Sequence, residues 1–111
     1  MALTADVVII GGGVTGTSIA FHLAARGMRD VIVVDKSSVA SGGTGKSSAC
    51  VRQHYTTAET CRMIRFSLDV FQRFEALTGG GSCGFRRTGY LLGVDERMRA
   101  PMEASVALQR G

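Results

Sequence analysis

Two short runs of consecutive apolar β-branched residues, Val7 to Ile10 and Val31 to Val34, frame the first third of the chain, and no polar position interrupts either. Runs of this length without alternation predict parallel strands buried on both faces. Gly11 ends the first. Between the runs, Ile19, Ala20, Leu23 and Ala24 recur at helical spacing from Val14 to Arg26, and Gly27 follows as a C-terminal stop. Strand, glycine turn, helix and strand in about thirty residues make one right-handed βαβ unit, and so an α/β fold.

Beyond Asp35 and Lys36 the pattern changes. Ser37 to Ser48 is small and polar, a loop by composition. A second amphipathic helix is predicted from about Thr57 to Leu77, with Cys61, Ile64, Leu68, Phe71 and Phe74 on its apolar face. Arg65, Asp69 and Arg73 stand at four-residue steps on its polar face. Gly79 to Ser82 reads as a turn and Thr88 to Val94 as a strand. The tail from Asp95 to Arg110 is helical in pattern, with Pro101 either opening the main helix in its first turn or kinking a longer one.

Composition narrows the class. A chain of 111 residues, 45% hydrophobic and 20% charged, is expected to form one soluble globular domain with a core of its own. Cys50, Cys61 and Cys83 are odd in number, contain no C-x-x-C pair and do not cluster with His22 or His54, so they read as reduced thiols and no metal site is expected. The net charge of +4 raises nucleic acid as a partner, but the arginines are dispersed and only Arg86 and Arg87 are adjacent, so no nucleic-acid binding is expected. With no run of eighteen apolar residues and no leader pattern before Val7, the expectation is no membrane span and a cytoplasmic location.

Glycine is the outlier: 15 residues, about twice the average share. Gly11-Gly12-Gly13-Val14-Thr15-Gly16 satisfies G-x-G-x-x-G, a pattern that is weak alone. Here a strand ends before it, a helix opens within it, and Asp35 closes the next strand nineteen residues after Gly16. Gly11 allows the sharp reversal, and Gly13 removes the Cβ that would hold a pyrophosphate away from the amides. Gly16, with Ala20 and Ala24, keeps one helix stripe narrow against the sheet. The unpaired amides of the helix start, Val14 and Thr15 among its residues, would face the phosphates, and Asp35 would accept from an adenosine ribose. A carboxylate there disfavours a 2′-phosphate, which leaves NAD or FAD, and the motif does not choose between them.

Ala40 to Ser47 competes for attention as a relaxed triphosphate-binding loop, with Leu91 to Asp95 as its magnesium-binding strand. Its first glycine is replaced by Ala40, and Lys36 to Val39 separate it from the preceding strand. The triphosphatase reading is therefore set aside.

The glycine motif, Asp35-Lys36, the second small-residue loop and Val51-Arg52-Gln53-His54-Tyr55 together resemble the N-terminal part of the D-amino-acid-oxidase-type FAD-dependent oxidoreductases. Within them the chain is similar to the sarcosine oxidase and dimethylglycine dehydrogenase branch. The resemblance implies FAD as cofactor, with Lys36 beside the ribose-binding Asp35. It also implies that Ser41, Gly42, Thr44, Gly45, Lys46, Ser47 and Ser48 run past the pyrophosphate toward the flavin. Arg52 matches the arginine that holds a substrate carboxylate, the alternative being a surface or helix-capping arginine. His54 and Tyr55 are candidates for the same pocket, with packing as the alternative for His54.

Phe85 to Tyr90 resembles the strand that opens the sheet covering the flavin. The implied layout is a truncated Rossmann-like FAD-binding segment over residues 1–85, with residues 86–111 beginning a substrate domain. The implied reaction is oxidation of the C–N bond of an amino acid or N-methyl amino acid by hydride transfer to flavin, with a small amine or amino acid as partner and other subunits of a hetero-oligomer as further candidates. Two other readings stand beside it, a nicotinamide-dependent dehydrogenase and a non-catalytic dinucleotide-binding module. The family's enzymes are several times longer, so the 111 residues alone are expected to bind FAD weakly and to be inactive.

Overall fold

The structure, a computed structural model, describes residues 4–111, which fall into two units, residues 4–50 and 51–111. In the first, strand β1 (Val7–Ile10) leads through the glycine turn into helix α1 (Val14–Ala25), and strand β2 (Val31–Val34) returns parallel to β1. The register pairs Val7 with Val31 and Ile10 with Val34. Two backbone bonds extend the ladder, from the Asp6 amide to the Asp30 carbonyl (2.9 Å) and from the Gly11 amide to the Val34 carbonyl (2.7 Å). This is the expected βαβ unit, and its helix begins where the sequence placed it.

α1 ends in a Schellman motif. Gly27, at φ +91°, gives its amide to the Ala24 carbonyl, and Met28 reaches back to the Leu23 carbonyl. A Cβ on Gly16 would run into the Gly11 carbonyl oxygen and stand 3.2 Å from Ile9 Cγ2, so the absence of a side chain at Gly16 is what lets α1 lie on β1. Ile9 faces that contact and is the one buried hydrophobic residue among those described.

The expectation that β1 is buried on both faces is corrected. Val8 and Ile10 point the other way, as strand alternation requires, and are 56% and 89% exposed. A parallel sheet needs a layer on each face, and within this unit α1 covers one. Within this unit the expected core is reduced to Ile9 among the described residues. On α1, Ile19 and Ala24 are exposed while Ala20 and Leu23 are half-buried, so the stripe against the sheet is Gly16, Ala20 and Leu23.

The second unit is helical. Thr57 caps helix α2 (Ala58–Gln72), its Oγ1 accepting from the Thr60 amide at 3.3 Å. The single helix predicted to Leu77 is interrupted at Arg73, whose ψ of +18° leaves the helical range; the short helix α3 (Phe74–Thr78) follows and stops at left-handed Gly79. No Gly or Pro marks this hitch in the sequence. The Arg73 guanidinium pairs with the Asp69 carboxylate one turn back, as the four-residue spacing predicts.

Residues 88–94 do not form the predicted strand. A strand exists through ladder bonds to a neighbour, none of the described residues pairs with this stretch, and Gly89 at φ +83° breaks its extended course. A 3₁₀ turn (Glu96–Met98) then leads into helix α4 (Arg99–Arg110). Pro101 is its third residue, within the first turn, where a missing N–H costs no hydrogen bond; of the two readings the helix-opening one holds. Among the described residues no helix is long and apolar enough to cross a membrane.

Candidate functional site

The turn between β1 and α1 is shaped by Gly11 at φ +108°, a conformation that favours glycine. Gly12, absent from the sequence-based set of candidates, is the hub of the turn. Its amide donates to Asp35 Oδ2 at 2.7 Å, and its carbonyl accepts from the Ala40 amide at 3.0 Å. Asp35 Oδ1 accepts from the Ser37 amide at 2.9 Å. Those two amides, Gly12 first, hold the Asp35 carboxyl below the usual carboxylate range, and neighbouring Lys36 adds to the effect. The acid therefore points into the bend, as the motif requires, and its first partners are backbone amides. A carboxylate has about four lone-pair positions, so accepting these two leaves room for ribose hydroxyls.

At the helix start, Thr44 Oγ1 accepts from the Val14 amide at 2.9 Å, across 30 residues. Thr17 Oγ1 donates to the Gly13 carbonyl, and the Thr17 amide makes the first intrahelical bond to the same oxygen. The N-cap residue Gly13 has no side chain to fill the concavity, and the amides of Gly13, Thr15 and Gly16 have no acceptor among the described residues. A Cβ on Gly13 would stand 2.9 Å from Thr44 Oγ1. Open amides, a helix N-terminus and no acidic residue in the first turn fit a pyrophosphate. Within the first unit, then, Gly11, Gly13, Val14, Thr15, Gly16, Asp35 and Thr44 are brought together.

The rest of the second loop is a chain of turns. Ala40, at φ +62°, takes the left-handed conformation, and its carbonyl accepts from the Gly45 amide at 2.8 Å. A Cβ on Gly45 would collide with that carbonyl. Lys36, Ser41, Gly42, Lys46, Ser47 and Ser48 are exposed, and Ser47 Oγ accepts from the Ala49 amide.

In the second unit the Arg52 guanidinium lies over the Tyr55 ring, 5.2 Å from its centroid. Tyr55 first, and then Tyr90, raise the Arg52 guanidinium above its usual value. Tyr90 was outside the candidate set; a tyrosine beside an arginine 38 residues earlier in the chain gives no local signal. His54 and Tyr55 are half-buried and both are held by Gln109, another residue that the sequence did not nominate. A shallow hollow of about 320 Å³ elsewhere in this unit is bordered by Phe71, Phe74, Phe85 and Arg87, and includes none of the predicted site residues.

The fold and its bend define a class: a parallel βαβ unit whose strand-to-helix turn is glycine-rich and whose second strand ends in an acid. Residues 6–111 match the FAD dependent oxidoreductase family (DAO), and the chain belongs to that family. It is 35% identical over 85 residues to the mitochondrial dimethylglycine dehydrogenase of Rattus norvegicus, a match covering 77% of this chain and 10% of that protein. It is 31% identical over 84 residues to 4-methylaminobutanoate oxidase (formaldehyde-forming) of Paenarthrobacter nicotinovorans, covering 76% and 10%. Among solved structures, L-proline dehydrogenase from P. horikoshii matches with a TM-score of 0.86 at 28% identity, over 99% of this chain and 29% of that one. The chain spans about a tenth of the length of those two sequence relatives.

Proposed function

We propose that this chain is the cofactor-cradling part of an FAD-dependent enzyme that oxidises the C–N bond of an amino acid or N-methyl amino acid. The observation that carries the cofactor side is the bend itself: Asp35 turned into it at 2.7 Å from the Gly12 amide, beside the open amides of Gly13, Thr15 and Gly16. The substrate side is supported by the relatives, whose names specify dimethylglycine, 4-methylaminobutanoate and L-proline, each an amino acid with a carboxylate and a substituted amine.

In this reading Gly13, Thr15 and Gly16 donate amides to the pyrophosphate, Asp35 accepts from the ribose, and Thr44 with the following loop borders the phosphates. Residues 1–85 serve the cofactor, and residues 86–111 open the part that covers the flavin. Arg52 holds the substrate carboxylate through two parallel hydrogen bonds, which fixes rotation as well as position. That orientation presents one C–H bond to the acceptor. FAD, held by these residues, would supply the hydride acceptor for the carbon next to the amine nitrogen, and water would then convert the oxidised C–N bond to an amine and a carbonyl compound.

The test is colour and bleaching. Protein carrying this segment at family length, purified from its host, is expected to be yellow, to release FAD on denaturation and to lose its colour anaerobically with an N-methyl amino acid. A colourless protein stabilised against heat by NAD and not by FAD would overturn the cofactor assignment. A yellow protein that no amino acid or secondary amine bleaches would overturn the substrate assignment alone.

A further inference from the structure

Gln109, near the end of α4, reaches back to a segment 54 residues earlier in the chain. Its Nε2 donates to the Tyr55 carbonyl at 2.9 Å and lies 3.0 Å from His54 Nδ1. All three residues are half-buried. The Tyr55 carbonyl also receives the Cys61 thiol from α2 at 3.5 Å, so two helices hold the same backbone oxygen.

The chemistry of the three groups leaves one arrangement. A carbonyl oxygen only accepts, so the Gln109 atom facing Tyr55 is the amide nitrogen and not its oxygen. A carboxamide nitrogen carries two N–H donors and, its lone pair being delocalised, accepts nothing. The second hydrogen is therefore directed at His54, and Nδ1 is the acceptor. A neutral imidazole that accepts at Nδ1 bears its hydrogen on Nε2.

We propose that Gln109 is a positioning residue for the Arg52 to Tyr55 segment: it fixes His54 as the Nε2–H tautomer and anchors Tyr55, whose ring lies under the Arg52 guanidinium. His54 then offers a hydrogen-bond donor from the same short segment as Arg52, suited to an anionic or carbonyl oxygen of the ligand that Arg52 holds. The identity of that ligand rests on the function proposed above, whereas the tautomer does not.

The chain has two histidines, His22 and His54, so selective ¹⁵N-histidine labelling gives two imidazole spin systems, and substitution of His22 assigns them. Neutral His54 is expected to show a proton on Nε2 and none on Nδ1. Gln109→Leu is expected to move the Nδ1 resonance to that of a solvent-exposed ring. Gln109→Glu, which puts acceptors in place of donors, is expected to shift the tautomer ratio by about tenfold or more toward Nδ1–H, with His22 unmoved. Thermal melts of both variants report folding. Should Gln109→Glu fail to fold against the Tyr55 carbonyl, Gln109→Leu carries the test.

An Nδ1–H tautomer in the unmodified chain, or His54 resonances indifferent to the loss of Gln109, would overturn the proposal. An Arg52→Lys protein at family length with unchanged substrate kinetics would overturn the ligand assignment and leave the His54 spectrum as it is, so the two failures are distinguishable.

Discussion

The Asp35 carboxylate takes the Gly12 amide at 2.7 Å, bonding the end of β2 to the middle of the turn that ends β1, 23 residues apart in the chain. One oxygen ties the two strand ends together, and the other holds the Ser37 amide at the start of the next loop. The acid that the motif assigns to a ribose therefore also builds the cradle.

Those two amide bonds give a pH dependence with a definite sign. The folded Asp35 carboxyl lies below its ordinary value of 3.8, so it binds a proton less readily than in the unfolded chain. Its contribution to stability is complete above that ordinary value and is lost as pH falls through the lower folded one. Melting temperature measured from pH 6 downward should drop more steeply below about pH 4 in the unmodified chain than in Asp35→Asn. Parallel curves for the two proteins would show that the Gly12 and Ser37 bonds do not favour the ionised form.

Gly16 and Gly13 both answer to the glycine motif, and they should fail differently. A Cβ on Gly16 meets the Gly11 carbonyl, which is backbone and cannot rotate away, so Gly16→Ala should cost about 3 kcal/mol of stability by denaturant titration. A Cβ on Gly13 meets only the Thr44 hydroxyl, a side chain that can turn. Gly13→Ala should therefore cost about 1 kcal/mol, near the worth of the Val14 to Thr44 bond, while FAD retention at family length falls by about tenfold. Equal stability losses in the two variants would contradict this division of labour.

How much of this was legible depends on the range of the interaction. The strand, turn, helix and strand of residues 7–34 are written locally, in apolar runs that end at glycine, and the sequence located them to within a residue or so. The inward aim of Asp35 followed from its place at the end of β2, but its backbone partners did not, because Gly12 has no side chain to advertise them. The 88–94 stretch has the composition of a strand, yet β structure needs a partner, and composition does not say whether one is at hand. The hitch at Arg73 lacks the Gly or Pro that would signal it. Thr44 with Val14, Tyr90 with Arg52 and Gln109 with His54 are pairings across loops or helices, which no periodicity encodes.

Thr44 ties the second loop to the helix start, acting as an N-cap side chain supplied from 30 residues away. Thr44→Val keeps the shape and removes the acceptor, leaving the Val14 amide open; the expected cost is about 1 kcal/mol, as for loss of an ordinary cap. Thr44→Ser should restore most of it. Hydrogen exchange at the Val14 amide is the direct readout, faster in the valine variant and near the original rate in the serine one. Unchanged protection in Thr44→Val would show that the hydroxyl is a bystander.

Arg52 is the residue on which the substrate reading turns, and its geometry separates charge from shape. The guanidinium lies over the Tyr55 ring, and a lysine in its place keeps the charge while losing the planar fork and much of the ring contact. If the proposed function holds, Arg52→Lys in the family-length protein should raise KM for a carboxylate-bearing amine by about tenfold or more while FAD content stays the same. A substrate analogue whose carboxylate is replaced by a neutral amide has no use for the fork, so its KM should be high in both proteins and nearly equal. If the amide analogue suffers as much as the carboxylate from the substitution, Arg52 acts through folding of its own segment and not through a bond to the substrate.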